Sequence, residues 1–140
     1  YVPVYAAWLD ELVRRFELQD AVTFTGHVSF EALAAYYQIA DVYISMSEHE
    51  GFGIPLVESM RFNLPVIAYD CTAVPEVLGG SGVLIKQKRF DVIAELIHQI
   101  QTDLDLKQKI IQQQQQQVQK FAPEYVLEQM RTLVEQVVRL

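Results

Sequence analysis

Residues 41–63 join a buried strand to a helix through a turn that contains two glycines. Residues 42–45 (VYIS) are mostly apolar and predict the strand, and Gly51 and Gly53 form the turn. Pro55 stands where the first turn of a helix tolerates a missing N–H. A strand, a glycine turn and a helix start together favour an anion-binding site, because the free N–H groups and the helix dipole both attract negative charge.

Two carboxylates flank this turn, Glu50 before it and Glu58 inside the helix. Because carboxylates repel phosphate, these side chains cannot be its ligands, but they accept strong hydrogen bonds from hydroxyl groups. A ligand with phosphate in its middle and hydroxyl-bearing sugars at its ends satisfies both conditions, and a nucleotide sugar is such a ligand. The same residues are equally compatible with a surface helix that carries two solvated glutamates.

The rest of the chain alternates between strand and helix patterns as far as residue 86 and is helical beyond it. This order predicts an α/β fold with a parallel sheet and helices packed in layers on it. Ser29 is the expected N-cap of the second helix. The glutamine-rich run 112–117 predicts a solvated helix. The predicted strands are 21–25, 42–45, 65–69 and 82–85. The predicted helices cover about 3–18, 29–39 and 72–78, a segment that starts near Pro55, the apolar stripes within 92–100 and 103–121, and the segment after Pro123.

Three loops follow predicted strands directly: residues 26–28, 45–53 and 70–73. In open parallel sheets, ligands bind beyond the carboxyl ends of the strands. We therefore expect these three loops to meet at one edge of the sheet.

Composition excludes several functions. The 140 residues carry a net charge of −7, which argues against nucleic acid as a partner, since phosphate backbones require clustered Lys and Arg. Cys71 is the single cysteine, so neither an internal disulfide nor a zinc site made by cysteine pairs is expected. No apolar run has the length of a transmembrane segment, and no secretion signal opens the sequence. We expect a cytoplasmic location.

Glu50 and Glu58 are separated by the seven residues GFGIPLV. This pattern resembles the E-x7-E signature of the retaining GT-B glycosyltransferases of family 4. The segments 24–28 (FTGHV), 64–68 (LPVIA) and 75–77 (PEV) resemble that family's flanking motifs in the same order, over about residues 1–100. The departures are Ser59, in place of a usual alanine, and residues 61–63 (RFN), in place of a glycine-rich turn. Asn63 can still adopt the left-handed conformation that ends a helix.

The resemblance implies the C-terminal half of a GT-B fold, a Rossmann-like parallel sheet with helices on both faces, lacking its first strands. We expect residues 1–122 to form part of the nucleotide-sugar-binding domain. Residues 123–140 should form an amphipathic helix that packs on it or on an N-terminal Rossmann-like domain. That domain, and the Arg/Lys pair that clamps the donor diphosphate in the family, are not in this sequence. We therefore expect this piece alone to be inactive.

The resemblance also implies roles for individual residues. Glu58 is expected to bind the ribose hydroxyls, and Glu50 is expected to act as the catalytic residue that faces the transferred sugar. Val28 should lie against the base through its backbone, although core packing explains it nearly as well. The implied donor-binding residues are Glu50, Gly51, Phe52, Gly53, Ile54, Glu58 and Val28.

The function implied is transfer of a sugar from a nucleoside-diphosphate donor to an acceptor hydroxyl, with retention of anomeric configuration and without a metal or other cofactor. The acceptor, the base and the sugar stay open. Two alternatives remain: a nucleotide-sugar epimerase on the same fold, and a non-catalytic module that binds nucleotide sugars. The expected partners are the donor, an acceptor and the N-terminal domain, with peripheral attachment to the inner membrane surface through that domain left open.

Overall fold

The computed structural model describes residues 3–138, which divide into two compact units, one ending at Leu33 and one beginning at Ala34. The alternation of strands and helices followed by helices alone is confirmed. The elements are α1 (Pro3–Arg15), α2 (Phe30–Ile39), β1 (Tyr43–Ser45), α3 (Ile54–Arg61), β2 (Val66–Tyr69), α4 (Val74–Leu78), β3 (Val83–Ile85), α5 (Phe90–Thr102), α6 (Leu104–Val118), a 3-10 turn (Gln119–Phe121) and α7 (Pro123–Val138).

The sheet is parallel, as predicted, and its strand order is β1-β2-β3. Ile44 pairs with Ile67, and Ala68 pairs with Leu84. β2 is therefore the central strand, and Val66, Ile67 and Ala68 on it are fully buried. A strand covered on both faces requires a nearly continuous apolar run, which residues 64–68 supply.

Side chains of β2 alternate between two apolar clusters, because successive residues of a strand point to opposite faces. Val66 and Ala68 pack with residues of α3 and α4 on one face. Ile67 packs on the other face with Ile85 and with residues of α5 and α6. The expectation of helices on both faces is confirmed. The first cluster contains Leu56, Met60, Val66, Ala68, Val74, Val77, Leu78 and Val118, and the second contains Ile67, Ile85, Ile93, Ile100 and Ile110.

The predicted strand at residues 21–25 is wrong, because the chain there has no regular secondary structure. β-branched and aromatic residues favour a strand locally, but a strand exists only when its N–H and C=O groups bond to a neighbouring strand. The sheet formed within residues 3–138 has three strands, and residues 21–25 are not among them. Local pattern could not reveal whether a partner strand is present.

α1 ends at Arg15, three residues earlier than the predicted boundary. Glu17 adopts a left-handed conformation with φ of 55°, and the N–H of Leu18 donates to the carbonyl of Val13 at 2.9 Å. This bond pattern is one by which helices end, usually with glycine at the left-handed position. The N-cap predicted for α2 is confirmed, since the N–H of Ala32 donates to Ser29 Oγ at 3.3 Å.

The glutamine-rich run is helical, as predicted, but it is not wholly solvated. Gln114 is fully buried, and its amide donates to the carbonyl of Leu64 and accepts from the N–H of Val66, both at 2.9 Å. Gln117 is also buried and donates to the carbonyl of Val77 at 3.0 Å. The two glutamines satisfy backbone groups that would otherwise be buried without partners.

The predicted helix after Pro123 is confirmed as α7, and its apolar side chains, including Leu133 and Val137, are exposed. Across residues 3–138, no helix combines the length and the apolar character that crossing a bilayer demands.

Candidate functional site

Loops that follow the three strands meet at one edge of the sheet. Thr72, after β2, bonds to the backbone of Glu50, after β1. The Sγ atom of Cys71 donates to the carbonyl of Ser47 at 3.2 Å. The expected meeting of loops 45–53 and 70–73 is therefore confirmed. Residues 26–28, the third loop of that expectation, follow no strand in the structure.

The loop after β3 also reaches this edge. Lys88 Nζ lies 2.7 Å from a carboxylate oxygen of Glu48 and 4.7 Å from the ring centre of Tyr69. The hydrogen bond from Lys88, reinforced by its charge, holds the pKa of Glu48 below its ordinary value. Lys88 thus places one cation among the acidic loops of this edge.

Thr72 holds the backbone of Glu50 at two points. The hydroxyl donates to the carbonyl of Glu50 at 2.7 Å and accepts from its N–H at 2.9 Å. Thr72 adopts a φ of 36°, which is unusual for a β-branched residue and costs conformational energy. The strain is offset by two hydrogen bonds that fix the position of Glu50 relative to β2.

The turn between the two glutamates ends at Gly53, which is buried and has a φ of 84°. A Cβ atom at this position would lie 2.8 Å from Leu56 Cδ1, so glycine is required for both conformation and space. α3 begins immediately afterwards with Pro55 in its first turn, as predicted. No side chain within residues 3–138 caps this helix start, which leaves N–H groups of its first turn available to a ligand.

Glu58 lies on α3, and its carboxylate is held by a side chain from α2. The hydroxyl of Tyr37 donates to Glu58 Oε2 at 3.0 Å. Burial, followed by this hydrogen bond, raises the pKa of the Tyr37 phenol well above its ordinary value. The phenol is therefore a neutral donor throughout the physiological pH range.

Tyr43, on β1, is affected by the charges of both glutamates. Burial raises the pKa of its phenol, and the negative charges of Glu50 and then Glu58 raise it further. The charges of both glutamates therefore act on the Tyr43 hydroxyl.

The structure places most of the predicted donor-binding residues together. Glu50 and Glu58 are half-buried, Gly51 and Ile54 are exposed, and Phe52 packs its ring edge against Phe121 with centroids 5.6 Å apart. Val28 belongs to the first unit, where its side chain is partly exposed. The contact of each of these residues with a donor stays a prediction. Asn63 has a φ of 58° and ends α3 as expected.

Sequence reasoning did not connect Tyr37 or Lys88 with this site, and it placed Thr72 at this edge only as part of the loop 70–73, without a role of its own. The ring of Tyr37 stacks on Phe62 with centroids 5.4 Å apart, and its hydroxyl bonds to Glu58. Thr72 lies in the loop that follows a predicted strand, which was a usable signal. Among the residues that the structure describes, no three His, Cys, Asp or Glu side chains are arranged to hold a metal ion.

Comparison with known proteins identifies the family. The family model described as glycosyl transferases group 1 matches residues 4–117. The O-antigen chain mannosyltransferase B of Escherichia coli is 32% identical over 104 residues, which cover 71% of this chain and 27% of that protein. The chain thus spans about a quarter of that relative's length.

Solved structures agree with this match. The C-terminal domain of a glycosyl transferase group 1 family protein from Francisella tularensis has a TM-score of 0.71 and 26% identity, covering 84% of this chain and 62% of that one. The pneumococcal O-GlcNAc transferase GtfA, in complex with UDP and GlcNAc, has a TM-score of 0.72 and 25% identity, covering 94% of this chain and 27% of that one. This chain therefore belongs to the glycosyl transferases group 1 family, and its fold is that of the C-terminal, Rossmann-like half of a GT-B glycosyltransferase.

Proposed function

We propose that this chain is the donor-binding part of a retaining GT-B glycosyltransferase of family 4. Its ligand is a nucleoside-diphosphate sugar, and the whole protein transfers the sugar to an acceptor hydroxyl. One observation carries the proposal: two half-buried carboxylates flank a helix start that no side chain caps. The mannosyltransferase relative and the UDP-bound transferase of similar fold support it.

The proposed pose follows from charge. The diphosphate lies at the start of α3, where backbone N–H groups of residues 52–54, which no side chain caps, and the helix dipole stabilise its negative charge. Glu58 lies one turn inside the helix and accepts hydrogen bonds from the ribose hydroxyls. A pose that placed the diphosphate against Glu50 and Glu58 instead would bring it close to two carboxylates, which is electrostatically unfavourable.

Glu50 faces the transferred sugar in this pose. Its carboxylate accepts from sugar hydroxyls and stabilises the positive charge that develops at the anomeric carbon as the bond to the diphosphate breaks. Within residues 3–138 no side chain donates to the carboxylate of Glu50, whose backbone alone is fixed by Thr72. The carboxylate of Glu50 is therefore available to a ligand.

Val28 is proposed to contact the base of the donor.

Further parts of the protein complete the reaction in this proposal. An N-terminal Rossmann-like domain supplies the acceptor site, and an Arg/Lys pair clamps the diphosphate in place of a metal ion. The greater length of the curated relative is consistent with additional domains. We expect the full-length protein to retain activity in the presence of EDTA and these 140 residues alone to have none.

Calorimetric titration of the full-length protein with nucleoside diphosphates tests the donor site. Glu58→Ala should weaken binding by about 1.5–3 kcal/mol, roughly 10- to 150-fold, because charge-assisted hydrogen bonds to the ribose are lost. Glu95→Ala removes an exposed glutamate from α5 and serves as the matched control, with unchanged affinity. Equal affinities for the wild type and Glu58→Ala would remove Glu58 from the donor site.

Analysis of the reaction products separates the proposal from its alternatives. Incubation of the full-length protein with nucleotide sugars and acceptors should yield a glycoside with the anomeric configuration of the donor. An epimerised donor sugar would instead indicate an epimerase. Donor binding without any product would favour a non-catalytic binding module.

A further inference from the structure

A buried tyrosine connects α2 to the proposed donor site. Tyr37 is 8% exposed, its ring stacks on Phe62 and lies 6.2 Å from the ring of Tyr43, and its hydroxyl donates to Glu58 Oε2. The adjacent Tyr36 is 44% exposed. Packing therefore fixes the ring of Tyr37 and, through it, the position of the hydroxyl.

The hydrogen bond restricts the carboxylate of Glu58 to one orientation. A glutamate side chain on a helix surface otherwise samples several rotamers, and binding must immobilise it. Oε2 accepts from Tyr37, and no other side chain within residues 3–138 donates to this carboxylate, so Oε1 and the second lone pair of Oε2 can accept from a ligand. Two free acceptor positions on one planar group match two adjacent hydroxyls of a ring.

We propose that Tyr37 is a positioning residue that orients Glu58 to accept hydrogen bonds from the two adjacent hydroxyls of the donor's ribose. The inference depends on the proposed function, because it assumes that Glu58 binds ribose. Tyr37 makes no contact with the donor itself. Its contribution is the pre-organisation of a side chain that would otherwise lose rotamer freedom on binding.

Tyr37→Phe removes the hydroxyl and keeps the ring against Phe62 and Tyr43. Pre-organisation of one side chain corresponds to about three- to tenfold in affinity. Only ligands that carry the hydroxyls can benefit from it. Loss of the Tyr37 hydroxyl should therefore weaken ribonucleotide binding and leave the binding of 2′,3′-dideoxy nucleotides unchanged.

The test measures dissociation constants of the full-length protein for UDP, GDP, ADP and CDP and for their 2′,3′-dideoxy analogues. The wild type should prefer the tightest-binding ribonucleotide over its dideoxy form by at least about tenfold, and Glu58→Gln should abolish most of this preference. Tyr37→Phe should reduce the preference about three- to tenfold. Tyr36→Phe is the matched control and should behave as the wild type.

The outcomes distinguish a failure of the proposed function from a failure of the role assigned to Tyr37. Failure of every nucleoside diphosphate to bind the wild type, or equal binding of ribo and dideoxy forms, would overturn the proposed function and this inference with it. A preference that depends on Glu58 but is unchanged in Tyr37→Phe would overturn the inference alone. Equal weakening of both ligand forms in Tyr37→Phe would show a purely structural role and would also overturn it.

Discussion

The two glutamates of the candidate site are held in different ways. Glu50 is fixed through its backbone by the Thr72 hydroxyl, and within the described residues its carboxylate receives no side-chain donor. Glu58 lies on α3 and is fixed through its carboxylate by Tyr37. The difference fits the proposed roles: the carboxylate of Glu50 keeps its acceptor positions for the transferred sugar, whereas a group that binds a ribose benefits from a single orientation.

Glu50→Gln should produce the largest effect and should distinguish the role of Glu50 from that of Glu58. The substitution keeps the shape and removes the charge, so the rate of sugar transfer by the full-length protein should fall about 100- to 1,000-fold. Nucleoside-diphosphate affinity, which we assign to Glu58, should change by less than about twofold, a negligible free energy. Single-turnover transfer kinetics and calorimetry measure the two quantities. A large loss of affinity with an unchanged transfer rate would reverse the assignments.

Gly53→Ala should affect the turn on which both glutamates depend. The left-handed φ of 84° and the Leu56 side chain 2.8 Å from the added Cβ should lower the free energy of unfolding by about 1–3 kcal/mol. Gly51→Ala is the matched control, because a Cβ there meets no atom within 4 Å and its φ is not positive. Chemical denaturation compares the two variants. Equal stabilities would show that the turn adapts to a side chain at residue 53.

Thr72→Val should have the smallest effect of the three substitutions, because it loosens only the backbone of Glu50. Valine keeps the shape and loses both hydrogen bonds to the Glu50 backbone, so we expect the transfer rate to fall about tenfold, equivalent to about 1.4 kcal/mol. Thr72→Ser retains the hydroxyl and should keep most of the rate. Dissociation constants for nucleoside diphosphates should be the same in both variants. A selective loss of affinity in Thr72→Val would contradict the assignment of sugar transfer to Glu50 and of nucleotide binding to Glu58.

Much of the second unit follows from local sequence patterns. The apolar run at residues 64–68 predicts a strand buried on both faces, and Pro55 and Asn63 mark the two ends of α3. These signals work because they depend on backbone torsions and on the spacing of apolar residues, which neighbours in the chain control. The meeting of loops 45–53 and 70–73 is predictable once the strands are known, because parallel strands that alternate with helices place their carboxyl ends at one edge of the sheet.

Predictions that depended on distant partners were less successful. Residues 21–25 have the composition of a strand, but strand formation requires a hydrogen-bonded neighbour elsewhere in the chain. Gln114 lies in a run that looks uniformly polar, but it reaches backbone groups about 50 residues away in the sequence. No local pattern distinguishes this glutamine from the exposed ones beside it.

By itself, the sequence determined the layered α/β fold, the glycine turn and the two glutamates around it, because steric limits on glycine and proline and the periodicity of apolar residues act over a few positions. Only the tertiary structure decided which side chains hold those glutamates. Tyr37 and Thr72 lie 21 and 22 residues away from the groups that they bond. A hydrogen bond depends on tenths of an ångström and on direction, and those are set by the packing of helices and strands against one another.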